Sequence, residues 1–264
     1  MALKLNATRE AYQEFYGRNV EQMPKLIADG RVPMNVAQLM QKRLDVRNPD
    51  EKVKTSYMDN CFDTGDAVVY HPGGRVKIVL DSQVLREMNS DSKRNDGALI
   101  ITPEQYDAMP GEEFKEGKLG KLNGGLSIKD VKAHPVWRVL AREQELLNDY
   151  VDFVFAEGKQ RFGYDTAMRV YLNQAQGQKP EMRAWFVGGL GGGSGAGGWG
   201  DLGDGGGRFA GVAPEALSAS GKGASIIKAY TMADLQSFDS AVKGLEATVK
   251  PELLKPFADL RKKL

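Results

Sequence analysis

The sequence predicts an α+β fold, with amphipathic helices packed on a small, mainly antiparallel sheet. Three observations lead there. Apolar residues recur at three- and four-residue spacing near both ends of the chain, as on a helix face. The stretch "DAVVYHPGGRVKIVLD" sets two β-branched runs on either side of a Pro-Gly-Gly turn. Helical and extended segments do not alternate regularly enough for a doubly wound parallel sheet.

Tyr12, Phe15, Tyr16, Val20, Met23, Leu26 and Ile27 form one apolar stripe, read as a helix that Pro24 should kink or split. A second helix fits "PMNVAQLMQKRLDV", with Pro33 in its first turn. Residues 1–50 thus read as a helical subregion. A hairpin follows, Val68–His71 against Arg75–Leu80, with "PGG" suited to a type II turn. "SQVLREMN" reads as a short helix and "GALIIT" as a third strand. "TPEQYDAM" is a helix with Thr102 as cap, Pro103 first, and Gln105 completing a capping box. A polar connection, "GEEFKEGKLGKLNGG", precedes a helix opening at Ser127. Pro135 starts the longest helix, ended by Gly158, and "GYDTAMRVYL" reads as one more. Arg183–Val187 and Arg208–Ala213 are strands flanking a glycine-rich loop, 188–207, and residues 231–264 are helical. The whole, 1–264, is read as one globular domain.

Totals limit function. Lys and Arg number 36 against 35 Asp and Glu, so the chain lacks the positive excess of a dedicated nucleic-acid binder. The single cysteine, Cys61, excludes an internal disulfide, and two histidines exclude a three-histidine metal site. The start carries no apolar signal segment and no run suggests a membrane span, so a soluble, cytoplasmic protein is expected.

Thirteen of the twenty residues from Gly188 to Gly207 are glycine. Gly193, Gly195 and Gly198 match G-x-G-x-x-G, but "WGDLGDGGG" is too glycine-rich to open the helix a dinucleotide site needs. "GKG" at 221–223 lacks both the Ser or Thr and the first glycine of a P-loop. "GGWGDLGD" approaches a calcium-binding repeat, with Asp201 one residue early and no tandem copy. Asp63-Thr64-Gly65 is the core of an aspartic-protease signature without its second copy. Cys61 is read as a small buried residue, and His134 as the end of a turn before a helix.

What remains is one constellation. Arg183 and Arg208 stand at the two ends of the loop. If the flanking strands pair, both guanidiniums approach its mouth, where exposed backbone N–H groups also favour an anion. Trp185 and Trp199 are available for stacking, and Asp201 and Asp204 lie inside. These six are the candidate ligand-binding residues. No catalytic residue, cofactor or metal is assigned. The leading expectation is a structural or protein-interaction protein, through partners or self-association. A binder or enzyme holding an anionic ligand at residues 188–207 comes second. Nucleic-acid association, through the basic residues around Lys42 and Arg43 and through "KEGKLGKL", comes third.

Overall fold

A computed structural model describes residues 11–46, 51–214 and 216. The chain divides into two compact units, Met1–Ala219 and Ser220–Leu264. The expected helices over 231–264 lie outside the described residues.

The predicted α+β class holds, but the sheet is large. It has eleven strands and is mainly antiparallel, with helices on both faces. Against the expected helix, Tyr12–Tyr16 is strand β1, separated by Gly17, at φ +128°, from helix α1 (Asn19–Ala28). The stripe had joined a strand's alternation to a helix's period. Phe15 points into the core, while Tyr12 and Tyr16 face the other way. Pro24 sits within α1 without ending it, since it removes only one intrahelical bond.

Pro33 belongs to the two-residue strand β2 (Val32–Pro33), and helix α2 (Val36–Asp45) starts later, behind a complete capping box of Asn35 and Gln38. Helix α3 (Glu51–Met58) leads to the long strand β3 (Phe62–His71) and its hairpin partner β4 (Arg75–Val79). The hairpin stands as predicted, but positive φ falls on Gly74 rather than Gly73, giving a three-residue loop in place of a type II turn. Ser82 caps α4 (Gln83–Glu87), and β5 (Arg94–Asn95) pairs with β6 (Ala98–Ile100). The capping box of Thr102 and Gln105 opens α5 (Pro103–Ala108) as read. The supposed polar connection contains β7 (Glu112–Lys115), which pairs with β4.

Ser127 caps α6 (Ile128–Ala133), and Pro135 begins α7 (Pro135–Ala141). The long helix then breaks at Arg142 and resumes as α8 (Gln144–Phe162). Gly158 does not end it. That residue is buried inside α8 against the Tyr164 ring, and Gly163, in the left-handed region at φ +70°, is the terminator. "GYDTAMRVYL" forms no helix; it carries the short strand β8 (Val170–Tyr171). Strand β9 (Glu181–Val187), the two-residue β10 (Ala196–Gly197) and β11 (Arg208–Val212) complete the sheet.

The central strands are buried on both sides. Val68, Tyr70, Trp185 and Val187 face a core shared with α2, α7 and α8, while Ala67, Val69, Met182 and Ala184 face one shared with α1, α4 and α5. The outermost described strand β1 pairs with the last, β11, antiparallel, with Tyr12 opposite Val212 and Tyr16 opposite Arg208.

His134 sits buried between α6 and α7, with Nε2 3.4 Å from the Lys121 carbonyl and Nδ1 without a partner. Burial holds its pKa below the ordinary 6.5, against the pull of that carbonyl. The unfolded chain therefore takes up the proton first as pH falls. Stability should decline below about pH 6.5, until folded His134 also protonates. Urea midpoints at pH 7.5 and 5.5 should differ less for His134→Gln than for the unsubstituted protein. Equal differences in both would refute the assignment.

Candidate functional site

The glycine-rich segment is built into the sheet. From β9 it makes a 3₁₀ turn at Leu190–Gly192, passes through Gly193 (φ +74°) and Ser194 (φ +52°), and enters β10, which pairs with both β9 and β8. Backbone bonds to other parts of the chain fix it. Gly193 accepts from Met168 N at 2.7 Å, Gly198 donates to Tyr171 at 2.8 Å, Leu202 to Gly97 at 2.9 Å, and Gly207 accepts from Gly17 N at 2.9 Å. Leu190, Ser194, Ala196 and Leu202 are buried.

The expected hairpin across the segment does not form, because β3 lies between β9 and β11. Arg183 and Arg208 therefore stand on strands to either side of β3. Arg183 is buried. Its Nη1 donates to the carbonyls of Trp199 (3.1 Å) and Gly200 (3.0 Å), and its Nη2 to the carbonyl and carboxylate of Asp96. It acts as a clamp beneath the segment. Arg208 pairs with Glu14 at 2.7 Å and lies over the Tyr16 ring. Trp185 is fully buried in the core. Asp201 accepts from Gly203 N at 2.6 Å within the turn, and Asp204 is exposed. Among the described residues no group of three His, Cys, Asp or Glu side chains is placed to hold a metal ion.

Of the six, Trp199 alone presents a large apolar surface, 53% exposed. It meets the Phe186 ring edge to face, with centroids 5.4 Å apart and planes at 85°. Phe186 and Tyr171 are both register partners of Gly197, so their side chains flank a position that has none. A Cβ on Gly197 would overlap the Phe186 ring. The result is a row of aromatic side chains on a glycine floor. Its rim has both signs of charge: Arg169, whose Nη1 donates to Tyr171 Oη at 3.2 Å, Arg94 beside Gly203, and the exposed Asp201 and Asp204. Tyr70 Oη donates to the Gly198 carbonyl at 2.6 Å, and burial raises that phenol's pKa well above its ordinary value.

Sequence reasoning missed two buried polar clusters, the first of which reaches the glycine segment through Ser194. Arg43, fully buried, donates to Tyr150 Oη (2.7 Å), Ser194 Oγ (2.9 Å) and the carbonyls of Tyr57 and Asn60, while the two hydroxyls meet at 2.6 Å. Asp66, also fully buried, accepts from the N–H groups of Val36 and Asp81 and from Arg142. Its position follows from an irregularity in β3 pairing between Asp63 and Ala67, which is where the Asp-Thr-Gly triplet sits. The basic reading of α2 also changes. Arg43 is inside, and the Lys42 ammonium lies 4.1 Å from the Tyr12 ring and 5.3 Å from that of Tyr57. Cys61, expected to be buried, is exposed.

Among the described residues neither histidine bonds to a Ser, Thr or Cys side chain. His71 Nδ1 accepts from Gly73 N, and His134 meets the Lys121 carbonyl. Among the described residues no helix is long and apolar enough to cross a membrane.

No known family and no curated protein matches the sequence. One solved structure, described as "Accommodation of massive sequence variation in Nanoarchaeota by the C-type lectin fold", matches with a TM-score of 0.57 and 17% identity, over 78% of this chain and 99% of that one. At that identity the likeness is one of architecture: the chain is similar in fold to C-type lectin domains.

Proposed function

We propose that the protein is a protein-binding module whose contact surface is centred on Trp199, Phe186 and Tyr171. The observation that carries this is the clamping of an exposed tryptophan. Trp199 has Arg183 bonded to its own carbonyl and the next, and Tyr70 bonded to the carbonyl before it. A large aromatic ring held rigidly at the surface binds without losing much conformational freedom. The mixed-sign rim suits a protein surface, which carries both charges, better than a polyanion. The neighbouring structure is described as accommodating massive sequence variation on this fold, which accords with a scaffold that separates a fixed interior from a changeable surface. The anionic-ligand alternative is weakened because Arg183 is committed to the segment and Arg208 to Glu14.

The test is a binding screen of the protein and its Trp199→Ala variant against panels of proteins, nucleotides and phosphorylated metabolites. Protein ligands are expected, with affinity about 30-fold or more weaker for Trp199→Ala, the scale of an interface hot spot. Ligands drawn only from the anion panels, or ligands that bind both forms equally, would overturn the reading. Acrylamide quenching checks the placement separately. Trp137 and Trp185 are fully buried, so Trp199→Ala should remove nearly all quenchable emission while leaving the fold intact.

A further inference from the structure

From Leu140 to Leu147 the sequence, "LAREQELL", contains only good helix formers, with no glycine or proline. Its local preference is one helix running through. The structure instead breaks it. Arg142 takes φ +66° and ψ −37°, and Glu143 N bonds to the Ala141 carbonyl at 2.7 Å, a tight three-residue turn in the rare positive-φ form. A break imposed against local preference needs something to hold it. Beside the packing of α7 and α8 in the core, Arg142 supplies a polar grip at the break itself. Its Nη1 lies 2.7 Å from Asp81 Oδ2 and its Nη2 2.9 Å from Asp66 Oδ1.

We propose that Arg142, Asp66 and Asp81 form an acid-releasable latch that holds α7 and α8 as two helices, and that its opening lets them join into one. The surroundings of the latch are defined. Asp66 comes from β3 and Asp81 follows β4. Arg86 of α4 stands 3.8 Å from Asp81, the Asn35 amide before α2 donates to Asp81, and Gln144 donates to the Lys132 carbonyl of α6. Glu143 adjoins Arg142 in the chain, Lys132 of α6 pairs with Asp152 of α8, and His134 immediately precedes α7. Burial raises the Asp66 carboxyl above its ordinary value, against the opposing pull of Arg142. Burial works most strongly on Asp81 too, but the combined pull of Arg142, the Asn35 amide and Arg86 outweighs it and holds that carboxyl below its ordinary value. Asp66 is thus the first latch carboxylate to take up a proton as pH falls. A proton there leaves Arg142 held by Asp81 alone. Movement of α8 would reach the glycine segment, because Tyr150 bonds to Ser194, and Tyr164, just beyond α8, bonds to the carbonyls of both Val154 in α8 and Leu190.

Spin labels at Arg138→Cys and Gln160→Cys, in a Cys61→Ser, His134→Gln background, read the helix directly and need no ligand. This keeps the result separate from the binding proposal. One unbroken helix places the two positions about 33 Å apart along its axis. The latched form should give a shorter distance at neutral pH, with the long distance appearing on acidification. Arg142→Gln should show the long distance at neutral pH, and Arg142→Lys should release at a higher pH than arginine. A folded Arg142→Gln that keeps the short distance would overturn the latch. If that variant does not fold, the acid titration of the unsubstituted arginine decides: a short distance unchanged down to unfolding overturns the proposal.

Discussion

Arg43→Leu is expected to lower the unfolding free energy of the described unit by about 3–5 kcal/mol, the range for removing one member of a buried polar network. Arg43 contributes three nitrogens to four acceptors. Leucine fills part of the volume and supplies no donor. The carbonyls of Tyr57 and Asn60 are then left unsatisfied, at about 1–3 kcal/mol each if water cannot reach them. The Tyr150 and Ser194 hydroxyls can still bond to each other, so their share is smaller. Tyr150→Phe should accordingly cost only about 1 kcal/mol. Urea unfolding followed by the emission of the buried Trp137 and Trp185 measures both variants. A loss below 1 kcal/mol for Arg43→Leu would mean that the network is not a principal support of the segment.

That network shows why the fold was partly legible in the sequence and the site was not. Signals carried by neighbouring residues were read well. The capping box at Thr102, the Ser127 cap and the hairpin around Gly74 depend on contacts a few positions apart. The larger errors arise where distant partners decide. Tyr12–Tyr16 becomes a strand because β11, two hundred residues away, pairs with it. "GYDTAMRVYL" is held open by Leu126 and by the glycine segment, which bond to Ala167, Met168 and Arg169. Arg183 and Arg208 were correctly placed on strands. Nothing local could show that β3 would separate them and leave one as a buried clamp. Trp199 is a candidate by residue type alone, and the structure places it at the surface. Phe186 was hidden in a strand whose other residues are buried, and only the register with Gly197 brings it beside Tyr171.

The glycines themselves give the second large effect, and they should divide sharply by position. Gly198→Val is expected to cost about 3–5 kcal/mol. A Cβ there would lie 2.5 Å from Tyr70 Oη and 2.7 Å from Val68 Cγ1, in a packed interior that overfilling alone penalises by about 1–3 kcal/mol. Displacing Tyr70 also breaks its bond to the Gly198 carbonyl, a further 1–3 kcal/mol or so for a buried hydroxyl left unpaired. Gly205→Ala should behave oppositely. A Cβ at that position meets nothing within 4 Å, and its φ does not lie in the left-handed range. The substitution should be neutral or stabilise by up to about 1 kcal/mol, because alanine narrows the unfolded ensemble. Chemical denaturation of the pair tests what kind of segment this is. A flexible connector would tolerate both changes. A segment folded against β3 and β9 tolerates only the second, and the same packing and bonding beneath Gly198 hold the backbone that carries Trp199.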